Sequence, residues 1–215
     1  MYMPEHFSEQ RIDILHALIQ SYPLATLVTQ DEDGLNANHI PFLISPPTAA
    51  APFGLLRGHV ARNNPVWRGA TSGREALLVF QGEQAYISPR WYEEKKRSGE
   101  VVPTYNYAVV HAHGSLQLVE DETRFLALLT DLSNHFERTM PQPWKVSDAP
   151  ADFISRIMEL IVGIEIPIQR ITGKWKTSQN KTTQDRMNIA NGLREQSTSN
   201  TVAMASVMEN QLFTG

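Results

Sequence analysis

The sequence predicts an α+β fold that is mainly β: an antiparallel sheet or barrel with helices at its ends. Three observations carry this. Short apolar or alternating segments, each bounded by turn residues, succeed one another between residues 24 and 119. Helical periodicity is confined to the N-terminal segment and to the residues beyond 120, so strands and helices are segregated rather than interleaved as in a doubly wound sheet. The chain has 215 residues, 41% of them hydrophobic, and no cysteine. On the usual area scaling it exposes ~35,000 Å² unfolded and ~10,000 Å² folded, enough for a core without disulfide staples.

The elements follow in order. Ser8 is placed to cap a first helix, with Phe7 and Ile12 as a hydrophobic staple and Ile12, Leu15 and Ile19 at helical spacing. Tyr22-Pro23 stops it. Leu24 to Thr29 reads as a strand, Asp31-Glu32-Asp33-Gly34 as a hairpin turn, and Leu35 to Ile44 as a second strand with Ile40, Phe42 and Ile44 on one face. A Pro/Ala loop precedes a third strand, Gly54 to Ala61. Asn64-Pro65 has the form of an N-cap followed by proline at the first helical position. Ala76 to Phe80 and Ala85 to Ser88 read as strands broken around Gly82-Glu83, Arg90 to Glu100 as an exposed loop, and Tyr105 to Val119 as one long strand.

Asp121 caps a helix whose apolar stripe is Phe125, Leu128, Leu129, Leu132 and Phe136. A second helix from about Pro150 is expected to bury Phe153, Ile154, Ile157 and Ile161 and to end at Gly163. Ile164, Ile166 and Ile168 then alternate as a strand, with Pro167 marking an edge or a bulge. Beyond Asn180 the composition turns polar, which predicts a loosely attached helix or partial disorder.

Composition removes several function classes. Without cysteine there is no disulfide, thiolate metal site, iron–sulfur cluster or cysteine nucleophile. Nineteen basic against 23 acidic residues leave a formal charge of −4, so no global cationic field draws in nucleic acid. No apolar run is long enough to cross a bilayer, and Met1-Tyr2-Met3-Pro4-Glu5-His6 lacks the layout of a signal peptide. A soluble cytoplasmic protein is expected. The fingerprints GxGxxG, GxxxxGK[ST] and GxSxG do not occur, which removes the main support for a Walker ATPase, a Rossmann dehydrogenase or an α/β-hydrolase. Among the seven histidines, His111 and His113 share a strand face, but no third ligand is identifiable, so no metal is assigned.

Two segments concentrate functional side chains. Gly58 to Trp67 joins a strand end to a helix start and gathers His59, Arg62, Asn63 and Asn64; free helix N–H groups and an arginine there suit a phosphate dianion. Gly173 to Asn180 sets Trp175 between Lys174 and Lys176, followed by hydroxyl and amide groups including Gln179. Between Arg170 and Lys181 there are basic residues and no acidic ones, so this segment could grip a phosphate or ribose, stack a flat ring or contact nucleic acid. In Lys95-Lys96-Arg97 the charge is offset by Glu93, Glu94 and Glu100.

These segments resemble the PaiB-type family of FMN-binding negative transcriptional regulators linked to protease production and sporulation. The matching stretches are Met1 to Phe7, Asn36 to Phe42, Gly58 to Pro65, Tyr86 to Tyr92, Val102 to Tyr107 and Gly173 to Asn180, in order over residues 1 to about 193. The resemblance implies an FMN-binding split β-barrel over residues 1–194, with 195–215 as a polar tail, and a homodimer holding flavin at the subunit interface. It points to Asn38, His39 and Pro41 beside the flavin, and to His59, Arg62 and Asn64 near the phosphate and ribityl chain, with Arg62 as the main phosphate ligand. Lys174, Trp175, Lys176 and Gln179 can reach the cofactor, often from the partner subunit. Tyr105, Asn106 and His111 are candidates for the open face of the ring, and Tyr2, Tyr86 and Trp91 are expected to pack.

Three functions remain open at this point: an FMN-binding regulator, a flavin-dependent oxidoreductase with no identifiable catalytic acid or base, and a non-catalytic flavin or haem carrier. DNA contact, which the regulator label requires, would have to come from a local patch such as Lys95 to Arg97 or Lys174 to Lys181.

Overall fold

The structure, a computed structural model, describes residues 1–32, 34–73 and 75–213. Ser8 does not cap the first helix. Ser8–Glu9 forms a short strand, β1, and helix α1 spans Ile12–Ser21. The turn between them is held by the Glu9 carboxylate, which accepts from the Arg11 backbone N–H at 2.9 Å and its guanidinium at 2.7 Å. Leu15 and Ile19 are buried as their spacing predicts. Strands β2 (Leu24–Asp31) and β3 (Gly34–Pro41) form the expected hairpin, with Asp31 opposite Gly34; Asp33 of the expected turn lies outside the described residues.

The expected strand 35–44 is two strands: the chain leaves one sheet at Pro41 and enters another at Leu43–Ser45, β4. Strand β5 (Leu55–Ala61) follows, then a 3-10 helix over Pro65–Ser72 capped by Asn64, whose side-chain oxygen accepts from Val66 N–H at 3.0 Å. Strand β6 runs unbroken over Glu75–Ile87. Gly82 does not interrupt it: a Cβ there would lie 2.9 Å from Leu18 and 3.2 Å from the Ala108 carbonyl, so the glycine answers a close approach and not a turn. The expected loop 90–100 carries a 3-10 turn, Pro89–Trp91, and a single helical turn, α2 (Glu94–Arg97).

The expected strand 105–119 divides into β7 (Thr104–Ser115) and β8 (Gln117–Leu118). Helix α3 (Glu122–Glu137) is capped as expected by Asp121, which accepts from Arg124 N–H at 2.7 Å; Phe125, Leu128 and Leu132 are buried, whereas Phe136 is exposed. Helix α4 (Ala151–Met158) turns Met158 inward and leaves Phe153 and Ile157 45% and 38% exposed, contrary to the expected stripe. Gly163 is not its cap but sits inside strand β9 (Ile161–Pro167), which precedes β10 (Arg170–Lys176). The polar C-terminal stretch is helical: α5 (Thr183–Gln196) and α6 (Ser199–Phe213).

The chain divides into two units, residues 1–18, 81–110 and 172–215 in the first and 19–80 and 111–171 in the second, and passes between them within α1, β6, β7 and β10. In the second unit β2 pairs with β3 and with β6, and a four-stranded sheet has the order β4-β5-β9-β8. Antiparallel register sets Leu56 opposite Ile166, Gly58 opposite Ile164 and Val60 opposite Val162, all buried. The alternate face carries Arg57 opposite Glu165 and His59 opposite Gly163. Two ion pairs tie α3 to this sheet, Arg57 to Asp131 and Arg124 to Glu165, each at 2.9 Å. Phe125 packs with Val119, Leu43 and Met158 above Gly163.

In the first unit the strand order is β1-β10-β7-β6. Helices α5 and α6 bury Ile189, Ala190 and Leu193 and Met204, Ala205 and Met208 against Ala85, Ile87 and Tyr92. Composition hides this core because its small residues and methionines are diluted by polar neighbours on the outer faces. A Cβ at Gly163 would stand 2.7 Å from the Phe125 ring, so Gly163→Ala should displace α3 and cost roughly 1–3 kcal/mol of stability, read from urea denaturation of the two proteins.

Candidate functional site

In the second unit the expected residues gather at the outer strand β3 and the end of β5. Asn64 does more than cap its helix: its amide donates to the Asn38 side-chain oxygen at 2.7 Å, and the Asn38 amide donates onward to Asn36 at 3.3 Å. This ladder fixes the side-chain oxygens and amides of an otherwise exposed strand. His39 and Pro41 lie on the same strand, exposed, opposite Thr26 and Leu24. His59 is half-buried on β5, and burial pushes its imidazole below the ordinary range.

Arg62 is differently engaged. Its Nε donates to the Glu159 carbonyl and its Nη2 to the Ile161 carbonyl at 3.0 Å, and its own carbonyl accepts from the Trp67 indole at 2.9 Å. It clamps the end of α4 to the start of the 3-10 helix. It lines a groove of about 600 Å³ shared with Glu120, Glu122 and Glu159. A phosphate dianion there would meet three carboxylates around a guanidinium whose fork is already directed at carbonyls.

In the first unit, β10 presents Lys174 and Lys176 on one face and Trp175 on the other. Lys174 is 7% exposed; its ammonium donates to the Tyr2 carbonyl at 3.1 Å and lies 5.6 and 5.5 Å from the rings of Tyr2 and Tyr107. The Lys176 ammonium donates to the Thr104 hydroxyl and the Tyr105 carbonyl. Neither lysine makes an ion pair among the described residues. Burial, and then the charge of Lys174, push the Lys176 ammonium below its ordinary value. Two ammonium groups withdrawn from water without a carboxylate partner suit a phosphate dianion.

The neighbouring candidates are structural. Trp175 is buried on the far side of β10, where a Cβ on Gly173 would meet both its ring and Leu15. Gln179 folds back onto its own turn, donating to the Trp175 carbonyl and accepting from Thr177 N–H at 2.8 Å. Asn106 is fully buried and exchanges hydrogen bonds with the Ser178 hydroxyl, at 3.0 and 3.2 Å. Ser178 has φ 65°, and the Asn106 contact anchors that left-handed turn. Tyr2 and Tyr86 are exposed and not packed as expected; Trp91 does pack, against Gly192. His111 and His113 share the expected strand face, and His113 meets the Arg170 guanidinium at 2.9 Å. Tyr107 and Thr104 were not anticipated; their signal was β7 alternation opposite a doubly basic strand. Of the basic patch 95–97, Arg97 faces Glu94 at 3.6 Å.

Residues 1–170 match the family described as "Putative FMN-binding domain". An uncharacterised protein of Emericella nidulans is 32% identical, the match covering 97% of this chain and 96% of that one. The protease synthase and sporulation protein PAI 2 of Bacillus subtilis is 29% identical, covering 99% and 98%. Among solved structures, the flavocytochrome Anf3 of Azotobacter vinelandii superposes with a TM-score of 0.62 at 12% identity, over 86% of this chain and 78% of that one. A FAD and heme binding protein of Mycobacterium smegmatis gives 0.60 at 15%, over 85% and 79%. Such identities establish the fold alone, a split β-barrel with flanking helices.

Burial holds His59, His111, His113 and His135 below the ordinary imidazole value. The unfolded chain therefore binds protons that the folded one refuses, and the stability these groups confer is present above pH ~6.5 and lost as pH falls through the folded values. The melting temperature should fall between pH 7.5 and 5, and His59→Gln should flatten that fall, both measurable by differential scanning calorimetry.

Proposed function

The chain belongs to the FMN-binding domain family, and from that premise we propose that it is a homodimeric flavoprotein acting as a negative transcriptional regulator, with the FMN phosphate held by Lys174 and Lys176. The observation that carries the cofactor assignment is the pair of buried or half-buried ammonium groups with no carboxylate partner among the described residues. A phosphate dianion would supply the missing charge; the Tyr2 and Tyr107 rings lie beside the Lys174 ammonium. FMN, when bound, brings its own redox centre.

The chain's part is binding and orientation. In the second unit, Asn38 and Asn64 are held by their mutual hydrogen bond, with His39 and Pro41 on the same strand as Asn38. Arg62 is a positioning residue: it fastens the loop on which Asn64 stands. Lys174 and Lys176 replace Arg62 as phosphate ligands because the Arg62 fork already serves two carbonyls in a groove lined by glutamates. Asn106, Trp175 and Gln179 support the turn beside the lysines.

A dimer is supported by the outer strand β3, which leaves Leu35 80% exposed and has no charged residue from Gly34 to Pro41 to discourage a partner. The regulatory role is supported by the near full-length likeness to the Bacillus subtilis sporulation protein. With a net charge of −4, any DNA contact has to be local. A haem-carrying reading is favoured by one feature, the neutral half-buried imidazoles of His59 and His111, and the absorbance spectrum of the loaded protein separates a Soret band from flavin bands.

Replacing Lys174 and Lys176 together by Gln should weaken FMN about tenfold or more, as expected for the loss of charge-assisted contacts. Arg62→Ala should lower the melting temperature and change FMN affinity far less; flavin fluorescence quenching reads both, and the reverse ranking would return the phosphate to Arg62. A gel-shift titration with FMN-loaded dimer should show a salt-sensitive complex with a genomic fragment, and no shift with any fragment at low salt would exclude direct repression.

A further inference from the structure

We infer that the groove between α3 and α4 is a binding site for a free single-chain carboxylic acid, with its head group at the Lys145 end and its chain directed toward Met158. The groove encloses about 790 Å³ and belongs wholly to the second unit. That size falls among small-molecule sites, at roughly 300–1,000 Å³. It is also separate from the residues assigned to flavin above.

Its shape follows from two helical stripes. Helix α3 contributes every fourth residue from Glu122 through Leu126 and Thr130 to Asn134, a lining about 18 Å long at the helical rise. Helix α4 contributes Ala151, Ile154, Ser155 and Met158, which share a face at the spacing of helical neighbours. Glu122, Ser155 and Met158 also border the adjoining Arg62 groove, so they mark one end, and Asn134 lies three α3 turns away at the other.

The middle of the groove is apolar. Leu126 and Ile154 face it and Met158 continues the apolar lining to the Glu122 end, while the Thr130 and Ser155 hydroxyls are turned to their own helices: Thr130 donates to the Leu126 carbonyl at 2.8 Å and Ser155 to the Ala151 carbonyl at 3.2 Å. An apolar chain lying there leaves no hydroxyl proton stranded.

The far end is the opposite in character. The Asn134 amide, the Lys145 ammonium and the Ser147 hydroxyl make no side-chain hydrogen bond or ion pair among the described residues. The first turn of α4 opens at the same end behind Pro150, which offers no side-chain cap. The nearby acids are already engaged: Asp148 accepts from Lys145 N–H at 2.9 Å and Asp152 pairs with Arg156 at 2.8 Å. Glu122, the one carboxylate among the lining residues, stands at the other end and repels an acid group from it. Donors at one end, hydrocarbon between and a carboxylate at the other select a monoanion with a single apolar tail and fix its direction.

The test uses the FMN-loaded protein with decanoate, decanol and decylamine, read by calorimetry and by fluorescence, for which Trp144 beside Lys145 is a half-exposed reporter. Decanoate should bind saturably and at least about tenfold more tightly than decanol, the contribution of a charge-assisted head-group contact. Lys145→Glu should remove that advantage, and Leu126→Asp should abolish binding of the acid; both positions are exposed, so melting temperature and FMN content should stay as in the native protein. Decylamine binding as tightly as decanoate, decanoate binding unaltered in both variants, or no saturable binding of decanoate would each overturn the assignment. An occupant of another kind, such as an amphipathic peptide or a second copy of the chain, would show itself by leaving decanoate without effect.

Discussion

The register between β5 and β9 is the constraint from which the second unit is built. Setting Ala61 opposite Ile161 brings the next residue, Arg62, against the end of α4, where its guanidinium finds the Glu159 and Ile161 carbonyls. The same register pairs Leu56, Gly58 and Val60 with Ile166, Ile164 and Val162 on the buried face. It leaves Arg57, His59 and Glu165 on the other face, where α3 is secured by ion pairs and Phe125 settles over the bare backbone of Gly163. A slip of one residue would turn each of these groups to the wrong side. The α3–α4 groove is a consequence, since α4 must end where β9 begins.

The first unit is governed by charge. Lys174 and Lys176 alternate with Trp175 along β10, so burying the indole on one face necessarily aligns both ammonium groups on the other. A buried cation without an anion is costly. Here the cost is met in part by carbonyl and hydroxyl acceptors at Tyr2, Tyr105 and Thr104 and by two tyrosine rings. The rest is available to an anionic ligand. The turn that follows is held by Gln179 and by the Asn106–Ser178 pair, which places α5 and α6 directly after the basic strand.

Much of the fold was legible because its signals are local. Asp121 and Asn64 act as caps, since capping needs only a short polar side chain next to a helix start. Hairpin β2–β3 and the alternation of β9 were readable for the same reason: period two needs no distant partner. Signals depending on distant atoms misled. Gly82 and Gly163 read as breaks, because a glycine required by a close approach is indistinguishable in sequence from one required by a turn. Phe153 and Ile157 read as core, because a stripe wide enough for two contacts does not say which edge meets the sheet.

The candidate site divides along the same line. The chemistry-bearing segments, Gly58 to Trp67 and Gly173 to Asn180, were marked by residue type alone, and the family with its FMN cofactor was reached through the resemblance of its ordered motifs to known sequences, since the order of motifs is a property of the chain. Which of those groups are free to act was decided only in three dimensions. Arg62 carries the charge best suited to a phosphate, yet its fork is turned to carbonyls contributed from almost a hundred residues away. Trp175 lies between two lysines in sequence, yet the pleat sends it to the opposite face. Sequence by itself determined the inventory of groups and their local alternation, because both are written residue by residue. Tertiary structure decided their availability, because a hydrogen-bonding group is free or engaged only with respect to the partners that folding brings to it.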